Sequence, residues 1–332
     1  MNWLKANRKY MIIFSILLGL ELVFLYYPLN YIVYHGGQAT DLAPYVQVQD
    51  GDRDDEGVLY MLSIFTSKAN GALWLRAQFD NTMDLKPIET VMPSDMTMEE
   101  YNEQMKKNMD DSQKKATLLA LQAAGIPVEV QGGGLIINEF TETSLMKDAL
   151  QKGDIIKQFE GQTMLLNEDL QRRLLRYQPG DEVLLLIERD DQLLEIKGIL
   201  SQDESGKAKL GIYIASTPWE LVHDRVITFQ NEEIGGGSAG MMLTLEILNQ
   251  LLEEDLTQGF KIAGTGTIRL DGSIGPIEGV KQKLHAAEDQ GASYFLVASE
   301  NSEEALSYAT SIEVVPVTQL TEALSFLKSL AH

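Results

Sequence analysis

The sequence predicts a mixed α+β and α/β protein in several parts: an apolar N-terminal helix, a layered α/β body, and a small module set into that body. Three observations predict it. Residues 10–34 form an almost unbroken apolar run. Strand patterns alternate with helix patterns from about residue 204 to the C-terminus, as in an α/β layer fold. Between them, residues 126–203 carry short strands punctuated by glycine and proline.

The N-terminal run "YMIIFSILLGLELVFLYYPLNYIVY" follows Lys5, Arg8 and Lys9. It is long enough to cross a bilayer as a helix, and the basic flank would keep residues 1–9 in the cytoplasm. Tyr26, Tyr27, Tyr31 and Tyr34 suit the outer interface. No A-x-A site follows closely, so an uncleaved anchor over 10–34, with the remainder outside the cytoplasm, is the expectation. Glu21 is the one acidic residue in the run, a passenger that insertion scales charge about 2.5–3.5 kcal/mol at the centre of a span.

A polar, Gly- and Asp-rich connection covers 35–57. Val58–Thr66 and Ala72–Phe79 then read as two strands joined by the turn "KANG". Thr97 and Glu100 fit a capping box for a long helix to about Ala124, stopped by Gly125 and Pro127. In the module, "VEVQGGGLIINEF" reads as strand, glycine loop and strand. "SLMKDAL" reads as a short helix, "GDIIKQFEG" as a strand and turn, and "NEDLQRRLLRY" as a helix before a Pro-Gly-Asp turn and two strands. After Gln202, "KAKLGIYIAST" and "DRVITFQ" read as strands.

Composition excludes several chemistries. The net charge is −22, against the clustered basic surface that nucleic acid requires. The chain has no cysteine, which removes disulfides, thiolate catalysis and cysteine-ligated zinc. Neither HExxH nor a P-loop motif is present, so no metal or cofactor is expected.

The stretch "EEIGGGSAGMMLTLEILNQLL" places Ser238 on a glycine-rich loop feeding a helix N-terminus, with Met241, Met242, Leu245, Leu248 and Leu252 at helical spacing. A serine there can cap the helix, contact a phosphate or act as a nucleophile. A nucleophilic serine needs a base. No Asp/His/Ser spacing stands out, which leaves a lysine kept neutral by burial. Lys281 and Lys283 both flank the stripe Ile277, Val280, Leu284 and Ala287. Lys281 has Glu278 and His285 as helical neighbours and suits a solvated ion pair. Lys283 has Gly279, Val280, Ala286 and Ala287, small or uncharged groups that allow burial, and is the better base.

Two resemblances follow from these residues. Gly132-Gly133-Gly134-Leu135, Gly153-Asp154-Ile155-Ile156 and Pro179-Gly180-Asp181-Glu182-Val183 together resemble a PDZ domain in the circularly permuted form common in bacterial proteases. That resemblance implies peptide capture by β-augmentation, with Gly132, Gly133, Gly134 and Leu135 as the carboxylate-binding loop. "GGGSAG" and "TGTIRLDGSIGPIEGVKQKLHAAEDQGAS" resemble the proteolytic domain of the Lon family; Gly272, Pro276, Ile277, Gly279, Lys283, Ala286 and Ala287 fall on its pattern, with Lys283 45 residues after Ser238.

The Lon resemblance implies a Ser-Lys dyad of Ser238 as nucleophile and Lys283 as base. Thr265 would orient the amine, and backbone N–H groups around Gly237 and Ala239 would serve as oxyanion donors. Gly237 departs from the family's usual proline. The block "GVLYMLSIFTSKANGALWLRAQF" with "MDDSQKKATLLALQAAG" resembles the start of the same proteolytic domain. The expected domain is therefore discontinuous: 50–125 and 204–332, with the PDZ module 126–203 inserted.

The whole chain resembles the membrane-anchored, PDZ-containing Lon-type proteases of Gram-positive bacteria. This implies an ATP-independent serine endopeptidase acting on peptides or unfolded, membrane-proximal proteins outside the cytoplasm. The alternative is a membrane-tethered PDZ peptide binder with a decayed protease domain.

Overall fold

The computed structural model describes residues 8–52, 56–93, 96–230 and 234–331. Two compact units emerge, Met1–Ile126 with Arg225–His332, and Pro127–Asp224.

The first part of unit 1 contains helix α1 (Arg8–Tyr26), strands β1 (Pro28–Asp41), β2 (Val46–Val48) and β3 (Val58–Asn70), helix α2 (Gly71–Ala77), strand β4 (Asp84–Pro87) and the long helix α3 (Met98–Ala123). Unit 2 follows with β5 (Glu129–Gly132), β6 (Leu135–Phe140), β7 (Ile155–Phe159), α4 (Asn167–Leu174), β8 (Glu182–Arg189), β9 (Gln192–Ile199), β10 (Ile212–Ser216) and β11 (Trp219–Val222). The chain returns to unit 1 through β12 (Ile227–Phe229), a 3-10 turn at Gly237–Ala239, α5 (Gly240–Leu251), β13 (Lys261–Thr265), α6 (Val280–Asp289), β14 (Tyr294–Ala298), α7 (Ser302–Tyr308), β15 (Glu313–Val317) and α8 (Leu320–Ser329).

The sheet of unit 1 has the order β15-β14-β13-β3-β1-β4. β3 lies parallel to β13 with Ala263 opposite Tyr60, while β1 runs antiparallel to both β3 and β4. Strands from before residue 126 and after residue 225 thus share one sheet. α5 is buried almost all round, including Thr244, Glu246, Asn249 and Gln250. Its polar groups are bonded internally: the Gln250 amide donates to the Val46 carbonyl (2.8 Å) and to Glu246 (2.6 Å), and Asn249 accepts from the Leu256 N–H (2.7 Å). Buried polar groups are tolerated on those terms.

Several expectations are corrected. The apolar run 10–34 is not one helix. It breaks at Tyr27, and Pro28–Asp41 is a sheet strand in which Val33 and Tyr34 are buried. Proline starts a strand readily but cannot donate within a helix. α1 has 19 residues, and among the described residues no helix is long and apolar enough to cross a membrane. Residues 1–7 of the expected cytoplasmic terminus lie outside the described ones.

The second expected strand, Ala72–Phe79, is mostly helix α2. The Asn70 side chain accepts from the Leu73 N–H (2.9 Å), so "NG" caps a helix here instead of turning a hairpin. The partner of β3 is β1, from what read as anchor and linker. The capping box at Thr97 is present: Glu100 N–H donates to Thr97 Oγ1 (3.2 Å), and Thr97 N–H donates to Glu100 (2.8 Å). "SLMKDAL" forms turns, with Leu150 N–H donating to the Met146 carbonyl (2.9 Å).

Candidate active site

Three segments of unit 1 converge on Ser238. The first is its own loop. Gly236 adopts φ 96°, open to glycine at little cost, and its N–H donates to the Met105 carbonyl of α3 (2.7 Å). Ser112 of α3 donates to the Gly237 carbonyl (3.3 Å). Gly240 opens α5 against α3 and Ile268; a Cβ there would lie 2.7 Å from both Ser112 Oγ and Ile268 Cγ2. The Ser-Ala-Gly sequence therefore has a steric reason for its glycine.

The second segment is the end of β13. The Ser238 carbonyl accepts from the Gly266 N–H (2.8 Å) and from Thr265 Oγ1 (3.2 Å). A trans peptide points its C=O and following N–H in opposite directions. The Ala239 N–H accordingly faces away from β13, and the Ser238 N–H faces away from Ser112. Gly237 is the first residue of the 3-10 turn, where proline's missing N–H costs nothing.

The third segment is α6. Lys283 Nζ lies 2.9 Å from Ser238 Oγ and 3.1 Å from Thr265 Oγ1. The lysine is 3% exposed. Burial drives its pKa down to about 7, while the carboxylate of Glu278 pulls the other way. A buried amine whose pKa is lowered toward neutrality, touching a serine hydroxyl, can accept that hydroxyl's proton. Among the described residues no group of His, Cys, Asp and Glu could hold a metal ion.

The helix is held tightly. Gly37 of β1 brings the strand so close that a Cβ would sit 2.3 Å from the Gln282 carbonyl. Lys281 is buried too, contrary to the solvated ion pair expected with Glu278 and His285. Its Nζ lies 2.6 Å from Asp84 of β4, and the Gln282 amide reaches the other Asp84 oxygen (2.8 Å). The carboxylate that meets Lys281 comes from a distant part of the chain, which helical neighbours could not reveal. Sequence reasoning also missed Ser112, Asp84 and Tyr34. Ser112 lay in the acidic-Ser stretch "MDDSQ". Nothing in the pattern around Asp84 marked it, and Tyr34, expected at a membrane interface, is instead buried in β1.

In unit 2, the sheet runs β9-β8-β7-β6-β10. Gly132, Gly133 and Gly134 have φ of 74°, 69° and 132°. The Gly133 N–H donates to the Pro218 carbonyl (2.9 Å), and Gly134 O accepts from Thr217 N–H (2.9 Å). Lys157 Nζ binds the carbonyls of Gly132 (3.2 Å) and Gly133 (2.7 Å). β6, which follows this loop from Leu135, is paired with β7 on one side and β10 on the other.

The expected carboxylate loop Gly132–Leu135 is thus corrected. An interior strand has no free edge for an added peptide, and the loop's Gly133 donor is already used. The strand at the end of this sheet, next to α4, is β10, preceded by Leu210-Gly211 with Gly211 at φ 72°. β10 had been expected in the second part of the protease domain. It lies in compact unit 2, which runs to Asp224.

Two stretches of the chain match known families. Residues 123–199 match the PDZ domain family, and residues 233–327 match the Lon protease (S16) C-terminal proteolytic domain. The archaeal Lon protease of Halobacterium salinarum is 28% identical over 94 residues, 27% of this chain and 13% of that protein. The archaeal Lon protease of Archaeoglobus fulgidus is 27% identical over 96 residues, 28% of this chain and 15% of that protein. The chain therefore spans only a small fraction of these relatives. The PDZ domain of the SdrC-like protein from Listeria monocytogenes is 20% identical in sequence, with a TM-score of 0.24 over 24% of this chain and 86% of that one. The chain thus carries a stretch that matches a PDZ domain and one that matches a Lon-type proteolytic domain, in a mixed α/β architecture.

Proposed function

We propose that the chain is an ATP-independent serine endopeptidase in which Ser238 and Lys283 form the catalytic dyad. The observation that carries this reading is the buried amine of Lys283 2.9 Å from the Ser238 hydroxyl. Ser238 Oγ attacks the scissile carbonyl carbon as its proton passes to Lys283 Nζ. The tetrahedral oxyanion is held by N–H groups of the Gly237–Ala239 turn. It collapses with cleavage of the C–N bond, and the Lys283 ammonium gives its proton to the leaving amine. Water then attacks the acyl ester with Lys283 again as base, releasing the carboxylic acid and restoring Ser238. Thr265, touching both the amine and the Ser238 carbonyl, fixes the lysine's direction.

Unit 2 is read as the substrate-binding part, through the edge of β10 beside α4. An extended peptide adding there gains main-chain hydrogen bonds. The proteolytic domain is read as discontinuous around this insert. Substrates are read as peptides or already unfolded proteins, whose extended backbone can reach Ser238 directly. The localisation part of the proposal rests on α1. Tyr10, Ile12, Phe14, Ile16, Leu17 and Val23 are all exposed, an apolar surface of the kind that seeks lipid. We read it as a membrane attachment. Recovery of the full chain in the soluble fraction of lysed cells, without detergent or high salt, would reject that attachment.

The functional test is product mapping. The full chain and its Ser238→Ala variant are incubated with a mixed peptide library and the products read by mass spectrometry. New termini that depend on Ser238 are the expected result. Their absence at every pH between 6 and 9 favours a peptide-binding protein with a decayed protease domain.

A further inference from the structure

Glu278 immediately precedes Gly279, whose carbonyl accepts from the Lys283 N–H (3.0 Å) one turn into α6. Its side chain is exposed, yet one carboxylate oxygen is gripped by the hydroxyl of Tyr34, a residue only 3% exposed on β1. A surface carboxylate usually moves freely; this one is fixed from beneath by a buried phenol. Among the described residues it has no cationic partner at ion-pair distance. Its field reaches Lys283, and it reaches Tyr101 of α3 as well.

Tyr101 ties the carboxylate to α3. Along α3, Met105 bonds to Gly236, and Ser112 bonds to Gly237. Glu278 itself stands five residues before Lys283, whose amine meets the Ser238 hydroxyl, so the carboxylate lies within a turn or two of the reacting atoms. At roughly 1.5 Å per helical residue and about 3.3 Å per extended residue, that is a few residues along a bound peptide from the scissile bond. A fixed, unpaired carboxylate facing solvent at the rim of a peptide-cleaving site selects cationic groups.

We propose that Glu278, held by Tyr34, is a specificity-determining residue that binds the side chain of an arginine or lysine a few residues from the scissile bond. This deepens the endopeptidase reading and rests on it for the identity of the site. The competing explanation is that Glu278 only favours the N-terminus of α6, where negative charge is stabilising. That explanation predicts a change in thermal stability without a change in peptide preference.

The test uses N-acetylated, C-amidated decapeptides in which one arginine is moved through the sequence. Each is paired with its citrulline counterpart, which has nearly the same shape and no charge. Amidation removes the free carboxylate that unit 2 would otherwise capture. With the full chain, arginine at one position raises kcat/KM roughly fivefold over citrulline, the upper range for a partly exposed ion pair. Glu278→Gln brings the ratio to about one, Glu278→Lys drives it below one, and Tyr34→Phe gives an intermediate value. An arginine-to-citrulline ratio that stays the same in Glu278→Gln, with Ser238-dependent cleavage continuing, overturns the proposal.

The same peptide pairs are also measured for binding to Ser238→Ala by fluorescence anisotropy. A Glu278-dependent arginine preference in binding, with no cleavage by the Ser238 protein, supports the recognition role and rejects the hydrolytic reading alone. Equal binding of both peptides by Ser238→Ala and by its Glu278→Gln double variant, with no cleavage, rejects both.

Discussion

Lys281 and Lys283 sit two residues apart on α6, both buried, and they meet opposite surroundings. Lys281 ends on the carboxylate of Asp84 at 2.6 Å. Lys283 ends on two hydroxyls, Ser238 and Thr265. Charge given to the first amine is answered by a counter-charge in contact. Charge on the second has no carboxylate in contact, and burial drives its pKa to about 7 against the pull of Glu278. The difference shows that burial does not make a base on its own. On the proposed reading, what the amine touches separates a structural ion pair from a proton acceptor.

The strongest way to break this comparison is to remove each amine. Ser238→Ala and Lys283→Ala should each lower peptide cleavage by about 10⁴-fold, since dyad members act as a unit. Their circular dichroism should match the parent. Lys281→Met should keep most of the activity, because the Asp84 carboxylate it leaves behind is partly exposed and keeps the Gln282 amide as a partner. Equal losses in Lys281→Met and Lys283→Ala would erase the distinction between the two lysines.

Next in size is the partner of Lys281. Asp84→Ala leaves a buried ammonium without its carboxylate and should destabilise unit 1 by about 2 kcal/mol, discounted because Asp84 is partly exposed. The Lys281→Met/Asp84→Ala double variant should recover most of that loss. Urea unfolding of the three variants checks it. Thr265→Val then sharpens the other half. It removes one hydroxyl from Lys283, and cleavage should fall roughly tenfold with little change in KM, the worth of one hydrogen bond that aims the base.

The last effect, spread over several pH units, is in the pH dependence of stability. A depressed lysine pKa means that between about 7 and 10.5 the unfolded chain binds a proton that the folded chain does not. Stability relative to Lys283→Met should therefore rise with pH through that window, by at most about 1.4 kcal/mol per pH unit. Below about 7 the difference should level off. A difference that is flat from pH 7 to 10.5 would mean that the folded amine stays charged.

The sequence carried the dyad further than it carried the fold around it. Ser238 and Lys283 could be found because their needs are local: a glycine turn before a helix, and small neighbours one turn away. The sheet edge was hidden for a physical reason. β1 is buried on its tyrosine and valine faces and continues an apolar helix, so hydrophobicity does not change where helix becomes strand at Pro28. Asn70-Gly71 has the same composition as a hairpin turn, and only the position of Leu73 makes Asn70 a helix cap. The Gly132–Gly134 loop was legible as a special backbone but not as a site. Its N–H and carbonyl groups are used by Thr217 and Pro218, more than eighty residues later in the chain. Tertiary partners of that kind leave no mark in local spacing.

The most direct test of a neutral Lys283 acting on Ser238 is the pH profile of kcat/KM for Ser238-dependent cleavage between pH 5 and 9. A rise governed by one ionisation near 7, absent in Lys283→Ala, is the predicted result. A rate that is level across that range, or one retained by Lys283→Ala, would contradict it.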